Sequence, residues 1–200
     1  MNASPLHLYW DTCVFVRFIT GKPEDTYLPQ IRTHVSDAMK GSTVIHFSTI
    51  AMAEIRPQFF RGSKFGRIEE FFEEFQAAFY PIDPTPDILI KAGQVRDHQY
   101  HNPAVGPPSE KNKEYKRTLG TADAIHLITC LHLRDERKLS GIKFQTFDNG
   151  KGKTWEGKCV PLLTYEQWTQ GITDPLVARI CSLQREEPMH PQPSLLPLKN

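Results

Sequence analysis

LHLYWDTCVFVRF, residues 6–18, sets a single acid, Asp11, between two apolar runs. The first run, LHLYW (6–10), is short and lacks a clean polar alternation, which reads as a strand covered on both faces. The second, CVFVRFI (13–19), reads as the start of a helix and is closed by GKPED (21–25), where Gly and Pro break the pattern. A buried strand that runs straight into a helix is the β–α step of a parallel sheet. Ligands of such sheets bind at the carboxyl ends of the strands. Two questions follow: whether the chain repeats this step, and whether other acids recur in the same place.

The step recurs. YLPQIRTHVSDAMKG (27–41) reads as a helix stopped by Gly41. TVIHFS (43–48) is a β-branched, apolar second strand, and TIAMAEI (49–55), rich in helix formers, turns directly into a helix. In SKFGRIEEFFEEFQAAF (63–79), Phe65, Ile68, Phe71, Phe72, Phe75 and Phe79 share one stripe, opposite the acids. That pattern predicts an amphipathic helix facing the core or a dimer partner. FYPIDPTP (79–86) is a short strand or extended link, DILIKAGQVRDHQ (87–99) is helical, and YHNPAVGPPSEKNKEYKR (100–117) is a long polar loop with at most one helical turn. TADAIHLITCLHLRDERKL (121–139) is a strong helix with Thr121 as its N-cap. IKFQTFD (142–148) and KCVPLLT (158–164) read as strands and DPLVARICSL (174–183) as a closing helix. The remainder, QREEPMHPQPSLLPLKN, is polar and Pro-rich and reads as a disordered tail. With no internal repeat, this alternation predicts a three-layer α/β/α sandwich with a mainly parallel central sheet. The expected organisation is one domain over residues 1–183, with a longer loop near 96–118, and a tail over 184–200.

A chain of 200 residues suits one such domain, and twelve Phe, six Tyr and three Trp provide its core. The net charge of +1 excludes a global attraction to nucleic acid, so any such partner must be held by local patches. Cys13, Cys130, Cys159 and Cys181 form no C-x-x-C pair and have no His tract beside them, which argues against a zinc site and for reduced thiols. The chain shows no basic-then-apolar leader and no apolar run near the roughly 18 residues that span a bilayer. The expectation is a cytoplasmic protein.

Other acids do recur at the decisive place. Asp148 ends the strand IKFQTF; Glu54 lies six residues past Ser48; Asp123 sits in the first turn of its helix. With Asp11, these place four carboxylates near strand carboxyl ends or helix N-termini on one edge of the sheet. Four converging carboxylates repel one another unless a cation sits among them, and an oxygen-rich set suits Mg²⁺ or Mn²⁺. Each acid also has a plain structural reading: Asp123 as an acid favoured by the helix dipole, Glu54 as a surface acid, Asp148 as part of a turn before Asn149 and Gly150. The joint arrangement is what points to a site.

The segments WDTCVF (10–15), STIAMAEI (48–55), TADAIHLITCLHL (121–133) and TFD (146–148) occur in that order over roughly residues 6–165. This combination resembles the PIN-domain ribonucleases, and particularly the VapC-like toxins of toxin–antitoxin pairs; DAIHL with its helix is the most specific piece. The resemblance implies a metal-dependent endoribonuclease in which Asp11, Glu54, Asp123 and Asp148 are the catalytic, metal-binding set, with Thr12 and Thr146 as polar helpers. It implies RNA as substrate, an antitoxin protein as partner and a homodimer as assembly. The segment 96–118 and the tail are longer than the compact toxin pattern.

A metal on these carboxylates would polarise a phosphate and activate a water, so no Ser–His or Cys–His pair is required. Cys13 then reads as packing and His126, one turn past Asp123, as a supporting or packing residue. Positive charge to grip RNA phosphates lies in Arg56 and Arg61, in Lys111, Lys113, Lys116 and Arg117, and in Lys151 and Lys153. Two rival readings are a non-catalytic PIN-like module that binds RNA or protein, and a phosphatase-type enzyme with Asp11 as nucleophile. The latter commonly wants a second Asp two residues on, where Cys13 stands.

Overall fold

The structure is a computed structural model that describes residues 4–104, 116–150 and 159–189. In chain order its elements are β1 (Leu6–Trp10), α1 (Thr12–Thr20), α2 (Leu28–Met39), β2 (Thr43–Ser48), α3 (Ile50–Glu54), α4 (Ile68–Glu74), β3 (Phe79–Ile82), α5 (Pro86–Arg96), β4 (Tyr100–His101), β5 (Lys116–Arg117), α6 (Thr121–Asp135), β6 (Lys143–Gln145), α7 (Pro175–Cys181) and β7 (Gln184–Glu186). Five strands form one sheet in the order β3–β2–β1–β6–β7, and every adjacent pair is parallel. From the central β1 the chain moves outward to β2 and β3, then returns to the other side as β6 and β7. The direction of travel thus reverses between β1 and β6, and their carboxyl ends border the crevice where such sheets bind ligands.

Alternation along the strands divides the core in two. Leu8, Trp10, Ile45 and Phe47 pack against Val14 and Phe15 of α1, Ile31 and Val35 of α2 and Phe71 of α4. Tyr9 and Phe144 face the opposite layer, with Ile88 and Val95 of α5, Leu127 and Ile128 of α6 and Val177 and Ile180 of α7. This is the expected α/β/α sandwich. The buried Trp10 indole donates to Gln145 Oε1 at 2.8 Å, so the core has no stranded indole N–H at the β1–β6 seam. Among the described residues no helix is long and apolar enough to cross a membrane.

Several expectations are corrected. The helix expected over 63–79 is confined to Ile68–Glu74. Gly62, at φ +78°, and Gly66 interrupt its start, while Glu73 and Glu74 load its C-terminus with the wrong charge for the dipole. Its Phe stripe is core, with Phe65, Phe71 and Phe79 at 5%, 0% and 5% exposure, and Phe79 opens β3 instead of closing the helix. The N-cap of α6 is Gly120, not Thr121. The described part of KCVPLLT, residues 159–164, forms no strand: beyond a single bridge between Thr118 and Cys159, the Leu162 and Leu163 N–H groups donate to Asp148, and Pro161 has no donor. Residues 100–117 begin and end in an antiparallel pair, Tyr100 with Arg117 and His101 with Lys116, around residues outside the description. The tail assigned to 184–200 is also corrected at its start. Gln184–Glu186 form the edge strand β7 on β6; Glu187 accepts from Tyr27 and from Asn149, and the Met189 carbonyl lies 3.2 Å from His34 Nε2. Polar residues suit an edge strand, which is why composition hides it. Residues 190–200 lie outside the described residues.

Candidate active site

Asp11 ends β1 and caps α1. Its extended backbone (φ −75°, ψ 157°) turns the side chain back so that Oδ1 accepts the Thr12 N–H at 2.7 Å. Its own N–H donates to the Gln145 carbonyl at 3.1 Å, which ties it to β6. Oδ2 accepts the Thr146 hydroxyl at 2.7 Å and the Cys13 thiol at 3.1 Å. The result is a buried carboxylate, 5% exposed, with donors on both oxygens.

Glu54 approaches from the C-terminus of α3, next to β2. Its Oε2 accepts the Thr12 hydroxyl at 2.6 Å and stands 3.1 Å from His126 Nε2. The same Nε2 lies 3.0 Å from Thr12 Oγ1 and 3.7 Å from Asp11 Oδ1. Glu54 Oε1 has no hydrogen-bond partner among the described residues, and the side chain is 34% exposed, so one carboxylate oxygen is left for a ligand. Burial alone would push the Glu54 carboxyl up, but the hydrogen bonds from His126 and Thr12 hold it below its ordinary value. Burial likewise opposes charge on His126; the Glu54 hydrogen bond and the charges of Asp11, Glu54 and Asp123 outweigh it and raise the ring's pKa. Burial first, and then the Asp11 charge, push the Cys13 thiol well up, so Cys13 is a packed thiol and not an activated nucleophile.

Asp123 lies in the first turn of α6 and acts on His126 through its charge. Its carboxylate folds over Gly120, where a Cβ would come within 2.5 Å of Oδ2, so a side chain at 120 would push the carboxylate aside. Asp148 is employed differently. Its N–H donates to Thr146 Oγ1 at 3.0 Å, and its Oδ2 accepts the Leu162 N–H at 3.3 Å. It pins the segment after Cys159 to the end of β6.

The four acids therefore do not converge as one cluster. Among the described residues, no three His, Cys, Asp or Glu side chains are grouped so as to hold a metal ion. Asp11, Glu54 and Asp123 surround His126, and Asp148 turns aside. The donor chemistry still suits a hard divalent cation, which takes as few as one or two carboxylates and completes its shell with water; Asp11 and Glu54 meet at His126, and Glu54 Oε1 is unengaged. Thr12 and Thr146, polar helpers by the resemblance, donate their hydroxyls to Glu54 and Asp11. The expected phosphate grip is only partly in place. Arg56 is exposed two residues past Glu54. Arg117 is 4% exposed; its guanidinium lies 4.1 Å over the Trp168 ring and donates to the Cys159 carbonyl at 3.2 Å, which makes it a structural residue. Lys111, Lys113, Lys151 and Lys153 lie outside the described residues, and of Lys116 only the backbone is described.

Sequence reasoning missed the central position of His126 and overlooked Tyr9 altogether. The signal for His126 was its i+3 spacing from Asp123, which puts both on one face of α6. A cavity of about 940 Å³ lies elsewhere; Phe18, Val35, Met39, Phe59 and Phe75 line it, with Arg32 among the cations on its walls. The chain matches no protein-family model and no curated protein sequence.

Proposed function

We propose that this chain is a Mg²⁺- or Mn²⁺-dependent endoribonuclease of PIN type, working as the toxin of a toxin–antitoxin pair. The observation that carries the reading is the meeting of Asp11, Glu54 and His126, with Asp123 in electrostatic reach, where the sheet order reverses between β1 and β6. A divalent cation, when bound, supplies charge neutralisation at the phosphate and lowers the pKa of a water for in-line attack. Asp11 and Glu54 would hold it, with the Asp123 charge in electrostatic reach. Thr12 and Thr146 fix the two nearest carboxylates by hydroxyl donation, so little reorganisation is needed on binding. Arg56, exposed beside Glu54, is placed to meet a phosphate of the RNA backbone.

The test is cleavage of a labelled RNA by purified protein with Mn²⁺, Mg²⁺ or EDTA, beside Asp11→Asn prepared identically. The expected result is metal-dependent cleavage that falls at least about a hundredfold in the variant; removing one electrostatic catalytic group typically costs that much. Equal rates for the two proteins overturn the assignment. The separation of Asp148 from the other acids favours a second reading, a PIN-like module that binds RNA or protein without cutting. Metal-independent RNA binding with no cleavage would establish it.

A further inference from the structure

We propose that Tyr9 is a positioning residue of this site: its phenol fixes the His126 tautomer so that the Nε2 proton points at Glu54. The functional consequence rests on the nuclease reading; the tautomer is a property of the metal-free chain.

The assignment comes from counting protons. The Ser48 N–H can only donate, and it donates to the Tyr9 hydroxyl oxygen at 3.1 Å. His126 Nδ1 lies 2.9 Å from the same oxygen. The Thr129 hydroxyl, which also approaches Tyr9, gives its proton to the Ile125 carbonyl at 2.7 Å. The phenol has one proton to give, and both Thr129 Oγ1 and His126 Nδ1 are in reach of it; Nδ1 is the acceptor because a proton there would leave the Nε2 lone pair facing Glu54 Oε2 at 3.1 Å. A neutral imidazole that accepts at Nδ1 carries its proton on Nε2. There Glu54 Oε2 waits at 3.1 Å and Thr12 Oγ1 at 3.0 Å. The Thr12 hydroxyl proton already goes to Glu54, so Thr12 is free to accept.

The opposite tautomer is disfavoured at both ends. It would make the phenol oxygen accept two protons, from Ser48 N–H and from Nδ1, and turn its own to Thr129 Oγ1. It would also set the Nε2 lone pair against a carboxylate. Tyr9, Ser48 and His126 are each 0% exposed, so bulk water does not repair either fault. The chain Ser48–Tyr9–His126–Glu54 thus runs from the backbone of β2, through β1 and α6, to the carboxylate on α3. Two donors hold Oε2, while Oε1 of this partly exposed side chain has no partner among the described residues. Groups that orient a metal-ligating side chain in this way commonly contribute 10- to 100-fold in affinity.

Two measurements test this. Long-range ¹H–¹⁵N NMR of the metal-free wild type at pH 9 should show His126 as the Nε2–H tautomer; the Nδ1–H form or a doubly protonated ring overturns the assignment. Mn²⁺ titration by calorimetry, at a temperature where circular dichroism shows each protein folded, should find Tyr9→Phe weakened about tenfold or more. His126→Gln, whose amide nitrogen reaches the Nε2 position, should bind within a few-fold of wild type, and His126→Asn, whose amide mimics Nδ1, should be as weak as Tyr9→Phe. A folded Tyr9→Phe that binds Mn²⁺ like wild type overturns the positioning role. If Tyr9→Phe does not fold, the His126→Gln and His126→Asn comparison decides the same point. If wild type takes up no Mn²⁺, the nuclease reading fails and this consequence with it, while the NMR spectrum still decides the tautomer.

Discussion

His46 should make the protein sensitive to mild acid. It lies on β2, 5% exposed, with Nε2 3.0 Å from His7 Nδ1 and the two rings stacked at 5.3 Å. Its Nδ1 has no hydrogen-bond partner among the described residues. Burial, and then the charge of His7, push its pKa down to about 4. The unfolded chain restores the ordinary value near 6.5. Below that value the unfolded state takes a proton that the folded state refuses, so stability is complete above about 6.5 and drains as the pH falls toward about 4. The full loss is a shift of about 2.5 pH units, or roughly 3 kcal/mol; by pH 5 it is already about 2 kcal/mol. His46→Leu removes the titrating ring and keeps an apolar side chain in the core. Urea unfolding of both proteins at pH 7 and pH 5 gives the comparison, since groups away from the His7–His46 pair that titrate in this interval cancel in the difference. Wild type should lose about 2 kcal/mol more than the variant between the two pH values. Equal losses would mean that His46 is protonated in the fold near its ordinary pKa, and the reasoning from burial would fail.

Two further predictions concern the seam between β1, β6 and β7. Thr146→Val keeps shape but removes the hydroxyl that donates to Asp11 Oδ2 and accepts the Asp148 N–H. With both partners near or below the surface, stability should fall by about 1–3 kcal/mol in chemical denaturation, and an unchanged midpoint would show that Thr146 does not hold Asp11. A chain ended at Leu183 loses β7 and the Glu186 contacts to Lys143 and Gln145. Its melting temperature should drop, by the equivalent of about 3 kcal/mol for the ladder bonds alone, whereas a dispensable tail would leave it unchanged.

The elements legible in the sequence were those whose apolar residues decide their own packing. β1 and β2 are buried on both faces, so their runs are unbroken; α6 has nine buried residues along one helix and could not be mistaken. The elements that were misread depend on partners far away in sequence. β7 reads QRE, and only its pairing with β6 makes it a strand. The segment after Cys159 has the apolar content of a strand, yet Asp148 captures two of its N–H groups and Pro161 lacks a third. The positions of the acids were legible because topology places strand ends together. Their directions were not, because each carboxylate turns to its nearest donor: Leu162 N–H for Asp148, Thr12 and His126 for Glu54.

That last preference changes the electrostatics expected of the site. From sequence, two carboxylates about 5 Å apart repel by roughly 3 kcal/mol at an effective dielectric near 20, and a metal is the expected means of holding them together. The structure contains a different remedy. His126 rises from α6 between Asp11 and Glu54, and Thr12 bridges the same gap, so the Glu54 carboxyl is held below its ordinary value despite burial. A group whose folded pKa is depressed adds stability above its unfolded value, so the Glu54 charge supports the metal-free fold instead of straining it. The acids can therefore be assembled before any cation arrives. A cation arriving here would meet a carboxylate with one oxygen occupied by the chain's own donors and the other without a described partner. Its binding would rest on Glu54 Oε1 and the remaining lone pairs of Asp11, and the Glu54 charge would already be accommodated in the fold before it arrived.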